Sequence, residues 1–284
     1  MEHVRWTDRP ALVEPVVIAA FEGWNDAGDA ASTAARYLAE RWDAEVIADI
    51  DPEEFYDFSS TRPQVHLDDD GLREIVWPTT DIYAATLPGG HGDALIVIGN
   101  EPQLRWRTYC AQLIAVAQAY EARLVLTLGA LLAEVPHTRP TTIVGTAYEP
   151  DTVAGIDLRP STYEGPTGIV GVLHDAARAA GLRSASLWAT VPSYVPGAPS
   201  PKAALALIER TAAMLETWVP TTDLEIATAS YERQVSELVD ADEETATYVT
   251  SLEERHDIEP DRFPTAESIA DEVERYLRDH PPEQ

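Results

Sequence analysis

The apolar run Val16-Val17-Ile18-Ala19-Ala20 passes directly into Phe21-Glu22-Gly23-Trp24-Asn25-Asp26-Ala27-Gly28-Asp29, and an alanine-rich stretch follows from Ala30 to Ala39. A β-branched run of this kind is a strand buried on both faces, and the alanine stretch is a helix. The segment between them is a strand-to-helix loop, where open α/β sheets place their binding crevices. It holds Glu22, Asp26 and Asp29 together with Trp24, Asn25, Gly23 and Gly28.

Standard nucleotide-binding chemistry does not fit this loop. Gly23 and Gly28 have the spacing of a phosphate-cradling loop, but Asp29 and Ala30 stand where Lys and Ser/Thr are needed. The three carboxylates repel the anion that a helix N-terminus otherwise attracts. Two readings stay open. Asn25 or Asp26 caps the following helix while Asp29 complements its dipole and Gly28 allows close packing, or the loop meets a ligand or partner.

The same alternation of strand-like and helix-like segments continues down the chain. Ala44 to Ile50 reads as a strand. Val65 to Leu67 and Glu74 to Trp77 flank Asp68-Asp69-Asp70-Gly71 as a hairpin. Asp93 to Gly99 is the clearest buried strand. After it Trp106, Tyr109, Cys110, Leu113, Ile114, Ala117 and Tyr120 recur at helical spacing on one face. Arg123 to Leu128, ending at Gly129, is a further strand, followed by Thr142 to Ala147. Gly168 to Ala180 is a helix with Thr167 as its cap and Gly181 as its stop. Ser184 to Val191 is the last strand, and Ser200-Pro201 opens a helix reaching Trp218. The pattern predicts an α/β domain with a largely parallel sheet flanked by helices over residues 1–220.

Pro220 marks a change of character. Residues 221–284 hold 19 acidic and 5 basic side chains and no glycine. Leu224, Tyr231, Leu238 and Leu252 fall on one seven-residue register, with Val235 and Val249 beside them and Asp242 and Thr245 interrupting the seam. This predicts an acidic helical segment, a helix or helix pair that docks on its own domain or on a neighbour and governs assembly. A last helix is expected from Thr265, carrying Ile269, Val273, Tyr276 and Leu277 on one face.

Charge excludes several partners. The chain carries 49 acidic against 20 basic residues, a net charge of −29, and Lys202 is its only lysine. Such a surface repels nucleic-acid backbones and anionic lipid. No run approaches the roughly 18 apolar residues of a membrane span, and the N-terminal Met1-Glu2-His3-Val4-Arg5-Trp6 lacks a signal-peptide core. Cys110 is the sole cysteine, which suits a reducing compartment. A cytoplasmic location is therefore expected.

Other candidate sites lie at segment junctions. Tyr163-Glu164-Gly165-Pro166-Thr167-Gly168 opens a helix, whose N–H groups suit an anion or a carbonyl if they are not simply capped. Glu134, His137 and Arg139 sit within six residues and form either an acid/base group or a surface loop. Asn100-Glu101 ends the strongest strand. In a parallel sheet Glu22, Asn25, Asp26, Asn100, Glu101 and His137 all lie beyond strand C-terminal ends and line one crevice. The chain has no Gly-x-Ser-x-Gly elbow and no zinc spacing of Cys and His, so no catalytic residue, metal site or cofactor is assigned. Glu22, Asp26 and Asp29 offer hard oxygens to Mg²⁺ only as a minor alternative. Cys110, on the apolar face of its helix, reads as core.

Five blocks carry a resemblance. They are Phe21 to Gly28, Gly99-Asn100-Glu101-Pro102, Thr127 to Pro140, Tyr163 to Gly168, and Val191-Pro192 leading to Pro201-Lys202-Ala203. Together they resemble the signature of the proteasome assembly chaperone 2 family in its actinobacterial form. The resemblance implies an α/β fold related to the nucleoside phosphorylases and a non-enzymatic, protein-binding or assembly-chaperone role. It implies a homo-oligomer, a trimer before a dimer, with proteasome subunits or another client as partner. The candidate contact residues are then Glu22, Trp24, Asn25, Asp26, Asn100, Glu101, His137, Glu164, Gly165 and Thr167. The relation to phosphorylases keeps a small-ligand binder or enzyme as the alternative. Some proteasome-binding relatives end in a hydrophobic residue, tyrosine and one more residue. The sequence here ends Pro281-Pro282-Glu283-Gln284, so any such contact is expected to use another surface.

Overall fold

A computed structural model of the protein describes residues 1–67, 71–90, 92–147 and 165–258. Its framework is an eight-stranded sheet in the order β1-β3-β6-β7-β2-β8-β10-β9. The strands are β1 (Val4–Trp6), β2 (Val16–Glu22), β3 (Glu45–Ile50), β6 (Thr80–Thr86), β7 (Asp93–Asn100), β8 (Leu124–Ala133), β9 (Ile143–Ala147) and β10 (Ser184–Pro192). β7, β2, β8 and β10 pair in parallel, and the flanking ladders are antiparallel. Because β3 is antiparallel to β6 and β6 to β7, β3 shares the central direction, so five strands of the sheet point one way. A separate ribbon, β4 (Gln64–Leu67) with β5 (Arg73–Val76), forms the expected hairpin. Its Asp68–Asp70 turn and the helix expected from Thr265 lie outside the described residues.

The central strands are apolar on both sides because helices cover both faces. Val16, Ile18 and Ala20 of β2 join one core with α1 (Ala30–Arg41) and α4 (Pro201–Met214). Val17, Ala19 and Phe21 join the opposite core with α2 (Trp106–Ala119) and α3 (Ile169–Ala179). β2 thus feeds a helix on one face and its neighbour β7 a helix on the other. Their C-terminal ends mark the point where the connections diverge, which is where such sheets open a crevice.

Several boundaries differ from the sequence expectation. β8 runs past Gly129 to Ala133, because Gly129 leaves room for the Trp188 ring of β10 rather than ending the strand. α4 stops at Met214, short of Trp218. β1 and β6 carry no clear apolar pattern and were not expected, yet β6 lies between β3 and β7 with Ile82 buried. Cys110 is buried in the second core, as expected, and burial pushes its thiol up to about 12. Thiol reagents are therefore expected to label the native protein about a hundredfold or more slowly than the unfolded chain at neutral pH. Equal rates measured by a chromogenic disulfide would remove Cys110 from the core.

The acidic segment forms a helix pair, α5 (Thr222–Asp240) and α6 (Glu243–Ile258). Its seam docks on the chain's own domain. Leu224 enters the first core, and Tyr231, Val235, Val239 and Val249 pack with Tyr194 and Val195. Leu238 is not part of the seam, being 64% exposed, and Val239 takes its place. Asp242, which breaks the register, lies in the turn between the helices and caps α6 through Thr245. No helix among the described residues is long and apolar enough to cross a membrane.

Candidate functional site

The loop after β2 is held by its own acids. Asp26 Oδ1 accepts from the N–H groups of Ala31 (2.6 Å) and Ser32 (3.2 Å), so it caps α1 from five residues upstream. Burial raises its pKa despite those bonds. The Asn25 carbonyl accepts from Ala130 N–H at 2.8 Å, tying the loop to β8. Gly28, at φ +59°, passes within contact distance of Ala198 and Ser200, and its carbonyl accepts from Ser200 N–H at 2.7 Å. A side chain there would meet that loop in a left-handed conformation L-residues resist.

The end of β7 closes on the same loop. Asn100 Nδ2 donates to Glu22 Oε2 at 2.8 Å, and Glu101 N–H donates to the Glu22 carbonyl at 2.8 Å. Glu22 also pairs with Arg36 of α1. Glu101 turns inward. Its Oε1 accepts from Asn25 Nδ2 (3.2 Å) and from the Ile169 N–H of α3 (2.8 Å). Burial raises the Glu101 pKa, and these two donors oppose the rise. Glu22, Asn25, Asn100 and Glu101 are thus brought together as the strand-end reading required, and Asp26 adjoins them.

Glu101 also corrects the expected cap of α3. Gly168, in extended conformation, is the cap residue, and Thr167 is exposed and makes no cap bond. The N–H group considered for an external anion is held by a carboxylate from 68 positions away. A Cβ on Gly168 would sit 2.5 Å from Asn25 Oδ1, 2.8 Å from Glu101 Oε1 and 2.8 Å from the Trp24 ring. Glycine at 168 is what lets the three segments meet. Asn25 is 1% exposed, so its amide is enclosed rather than presented. The outward-facing groups are Gly23, half-buried Trp24, and the exposed turn Gly165-Pro166-Thr167. Glu164 lies outside the described residues.

Behind this layer a buried hydroxyl chain supports the β7 end. Tyr56 donates to the Asn100 carbonyl (2.9 Å) and meets Thr80 Oγ1 (2.9 Å), which meets the Tyr109 hydroxyl (2.6 Å). These supports were missed from sequence, since tyrosines 53 residues apart carry no local signal. The Glu101–Ile169 bond had one faint signal: a helix start with no acidic or hydroxyl cap of its own beyond Thr167.

His137 does not belong to this cluster. Its ring bridges Tyr194 (2.8 Å) and Ser236 of α5 (2.9 Å), and its carbonyl accepts from Lys202 at 2.5 Å. Lys202 also pairs with Glu232. Arg139 makes a two-pronged bond to Asp257 (2.8 Å each) and reaches Glu253 at 3.4 Å, while Glu134 pairs with Arg255. The Glu134–Arg139 loop is therefore the dock for α5 and α6, not an acid/base group: each member is turned to a different helix residue. On the far side Asp223 pairs with Arg41 and accepts from Tyr37. Among the described residues no three His, Cys, Asp or Glu side chains gather into a metal-binding group, Glu22, Asp26 and Asp29 included.

Burial and the neighbouring Lys202 ammonium hold His137 below its usual pKa of 6.5, against the fields of Glu253, Glu232 and Asp240. A depressed histidine contributes stability that is present above 6.5 and lost as pH falls through the lowered value. Proteolysis of α5–α6 is expected to accelerate between about pH 7 and about pH 5, and less steeply in His137→Gln. Identical pH profiles for the two proteins would remove His137 from the dock's pH response.

Residues 20–239 match the PAC2 family model, and the chain belongs to that family. A PAC2 family protein from Streptomyces avermitilis shares 46% identity and superposes with a TM-score of 0.78, over 83% of this chain and 99% of that one. A proteasome-assembly chaperone homologue from Mycobacterium tuberculosis shares 43% identity with a TM-score of 0.75, over 82% of this chain and 99% of that one. An archaeal proteasome activator from Pyrococcus furiosus shares the fold at 17% identity, with a TM-score of 0.67 over 83% of this chain and 97% of that one. No curated protein matches the chain.

Proposed function

We propose that this chain is a non-enzymatic, homo-oligomeric cytoplasmic protein that binds other proteins in the manner of an assembly chaperone. The observation that carries the proposal is the inward pairing of the strand-end polar groups. Glu101 caps α3, Asp26 caps α1, and Glu22 holds Asn100 and Arg36, so these groups rigidify a surface rather than await a substrate. That surface presents Gly23, Trp24 and the Gly165–Thr167 turn, a half-buried aromatic beside exposed backbone, which suits a protein contact. The mycobacterial chaperone homologue at 43% identity points the same way, and subunits of the proteasome are the first client to test. Fold alone does not assign the role. A closed ring, a trimer before a dimer, is the assembly we favour, since closed symmetry is the rule for soluble oligomers.

The test is capture of cross-linked partners from host cytosol with tagged full-length protein, followed by mass spectrometry, for the wild type, Trp24→Ala and Thr167→Arg. Subunits of one multi-subunit assembly are expected with the wild type and reduced about tenfold, roughly 1.4 kcal/mol, in both variants. Equal recovery in all three rejects the surface. Recovery of no protein with the wild type rejects the function.

A further inference from the structure

Residues 193–200, which join β10 to α4, are held on two sides. On one side the acidic helix pair docks. Tyr194 and Val195 pack with Tyr231, Val235, Val239 and Val249, and the Tyr194 ring meets Tyr248 of α6 edge-on at 6.3 Å. The Tyr194 hydroxyl accepts from the His137 N–H at 2.7 Å. On the other side the segment ends against the loop after β2. Ser200 N–H donates to the Gly28 carbonyl at 2.7 Å, and Ser200 Cβ and the Ala198 carbonyl lie 3.0 and 3.2 Å from where a Cβ on Gly28 would sit. Lys202, two positions on, ties this end back to the helix pair. Its ammonium donates to the His137 carbonyl at 2.5 Å and pairs with Glu232 of α5.

The loop carries that constraint to its outward face. Asp29 N–H donates to the Asp26 carbonyl at 3.0 Å, and Asp26 N–H donates to the Gly23 carbonyl at 3.1 Å. Two successive turns therefore connect Gly28 to Gly23 and Trp24. The helix pair behind the segment is built to open more easily than the sheet. Only Val249 and Leu252 of the 16 residues of α6 are buried. Residues 221–258 hold 11 acidic and 2 basic side chains, so the pair repels itself as well as the acidic domain beneath it. Elements with few buried apolar contacts open locally before the fold as a whole does.

We infer that the α5–α6 pair is a strap that sets the order of the Trp24 loop. Docked, it presses residues 193–202 against Gly28 and fixes the loop's turns. Undocked, it frees that segment and the loop loosens. Linkage makes the effect reciprocal: a partner that binds the ordered Trp24 surface tightens the strap by the same factor. The inference names the regulation of the surface proposed above and rests on that reading for its partner, whereas the coupling itself is measured without one.

Hydrogen exchange of the full-length protein tests it, followed by mass spectrometry of peptides spanning 22–32, 94–100, 193–203 and 221–240. Wild type is compared with Val235→Asp and Glu232→Gln. In Val235→Asp the peptides 221–240, 193–203 and 22–32 are expected to exchange about tenfold or more faster, with 94–100 of β7 unchanged. Glu232→Gln removes the partner of Lys202 at a side chain 40% exposed and leaves the apolar seam whole. It is expected to speed 193–203 and 22–32 about threefold, and it decides the matter if Val235→Asp unfolds the sheet. Wild-type exchange of 22–32 in a variant whose 221–240 is released overturns the inference. A helix pair that neither variant loosens overturns it too. Capture of cross-linked partners in parallel keeps the two readings apart: a loop that loosens while the wild type recovers no protein upholds the coupling and rejects the proposed function.

Discussion

Val235→Asp is expected to release the α5–α6 pair from the domain. Val235 is 2% exposed and sits among Tyr231, Val239 and Val249 against Tyr194 and Val195. A carboxylate there is buried without a partner, a cost on the order of 4 kcal/mol. The polar dock cannot offset it. The pairs of Arg139 with Asp257 and of Arg255 with Glu134 are largely exposed, and such pairs contribute about 0–1 kcal/mol each. Limited proteolysis is the measurement: cleavage within residues 221–258 should become rapid while the sheet survives. Leu238→Asp, three positions along the same helix but exposed, should change stability by no more than about 0.5 kcal/mol. Equal protection of Val235→Asp and the wild type would sink the docked-seam account.

That pair of substitutions also shows where a seven-residue register misleads. Counting from Leu224 through Tyr231 lands on Leu238, but a straight helix drifts from a strict heptad by about 20° per repeat. After two repeats, about four turns of helix, the buried position has moved to Val239. The turn at Asp242 then resets the phase for α6. The seam's existence was legible from composition, and its membership depended on where one helix ended. The main sheet follows the same division. β2, β7 and α2 were readable because each is apolar along its whole buried length. β6 was not, because Thr80-Asp81-Ile82-Tyr83-Ala84-Ala85-Thr86 has no local pattern that separates it from a loop. It becomes a strand by pairing with β3 and β7, and pairing is non-local information.

The candidate site divides likewise. Strand ends in a parallel arrangement must share an edge of the sheet, so the meeting of Glu22 and Asn25 with Asn100 and Glu101 followed from chain order alone. What each carboxylate does there did not. Glu, His and Arg at 134, 137 and 139 look like chemistry in sequence because proximity along the chain suggests a shared task. In the fold the loop turns them in three directions, to Arg255, to Ser236 and to Asp257, and they become a dock. Glu101 is the converse case. Nothing near it in sequence suggests a helix cap, yet Ile169 N–H lies 2.8 Å from its carboxylate.

Glu101→Ala is accordingly expected to destabilise the protein by about 2–3 kcal/mol, since it removes a cap and strands the buried Asn25 amide and the Ile169 N–H together. Glu101→Gln, which keeps an acceptor oxygen, should lose well under half of that at neutral pH. The pH dependence separates this role from simple packing. Burial raises the Glu101 pKa above its ordinary 4.5, so the native state holds the proton more tightly than the unfolded state. Its contribution is fully present below the unfolded value and is lost as pH rises through the raised one. The stability of the wild type minus that of Glu101→Gln should therefore grow as pH falls from neutrality toward the unfolded value. Taking the difference matters, because His137 and His174 respond with the opposite sign: burial holds both below 6.5, and acid destabilises the fold through them. Those histidines are present in both proteins and cancel. Urea unfolding of the two proteins across that range, read by circular dichroism, gives the difference directly. A difference that is flat, or that shrinks on acidification, would show that Glu101 stays charged in the fold and that the helix dipole and Asn25 outweigh its burial.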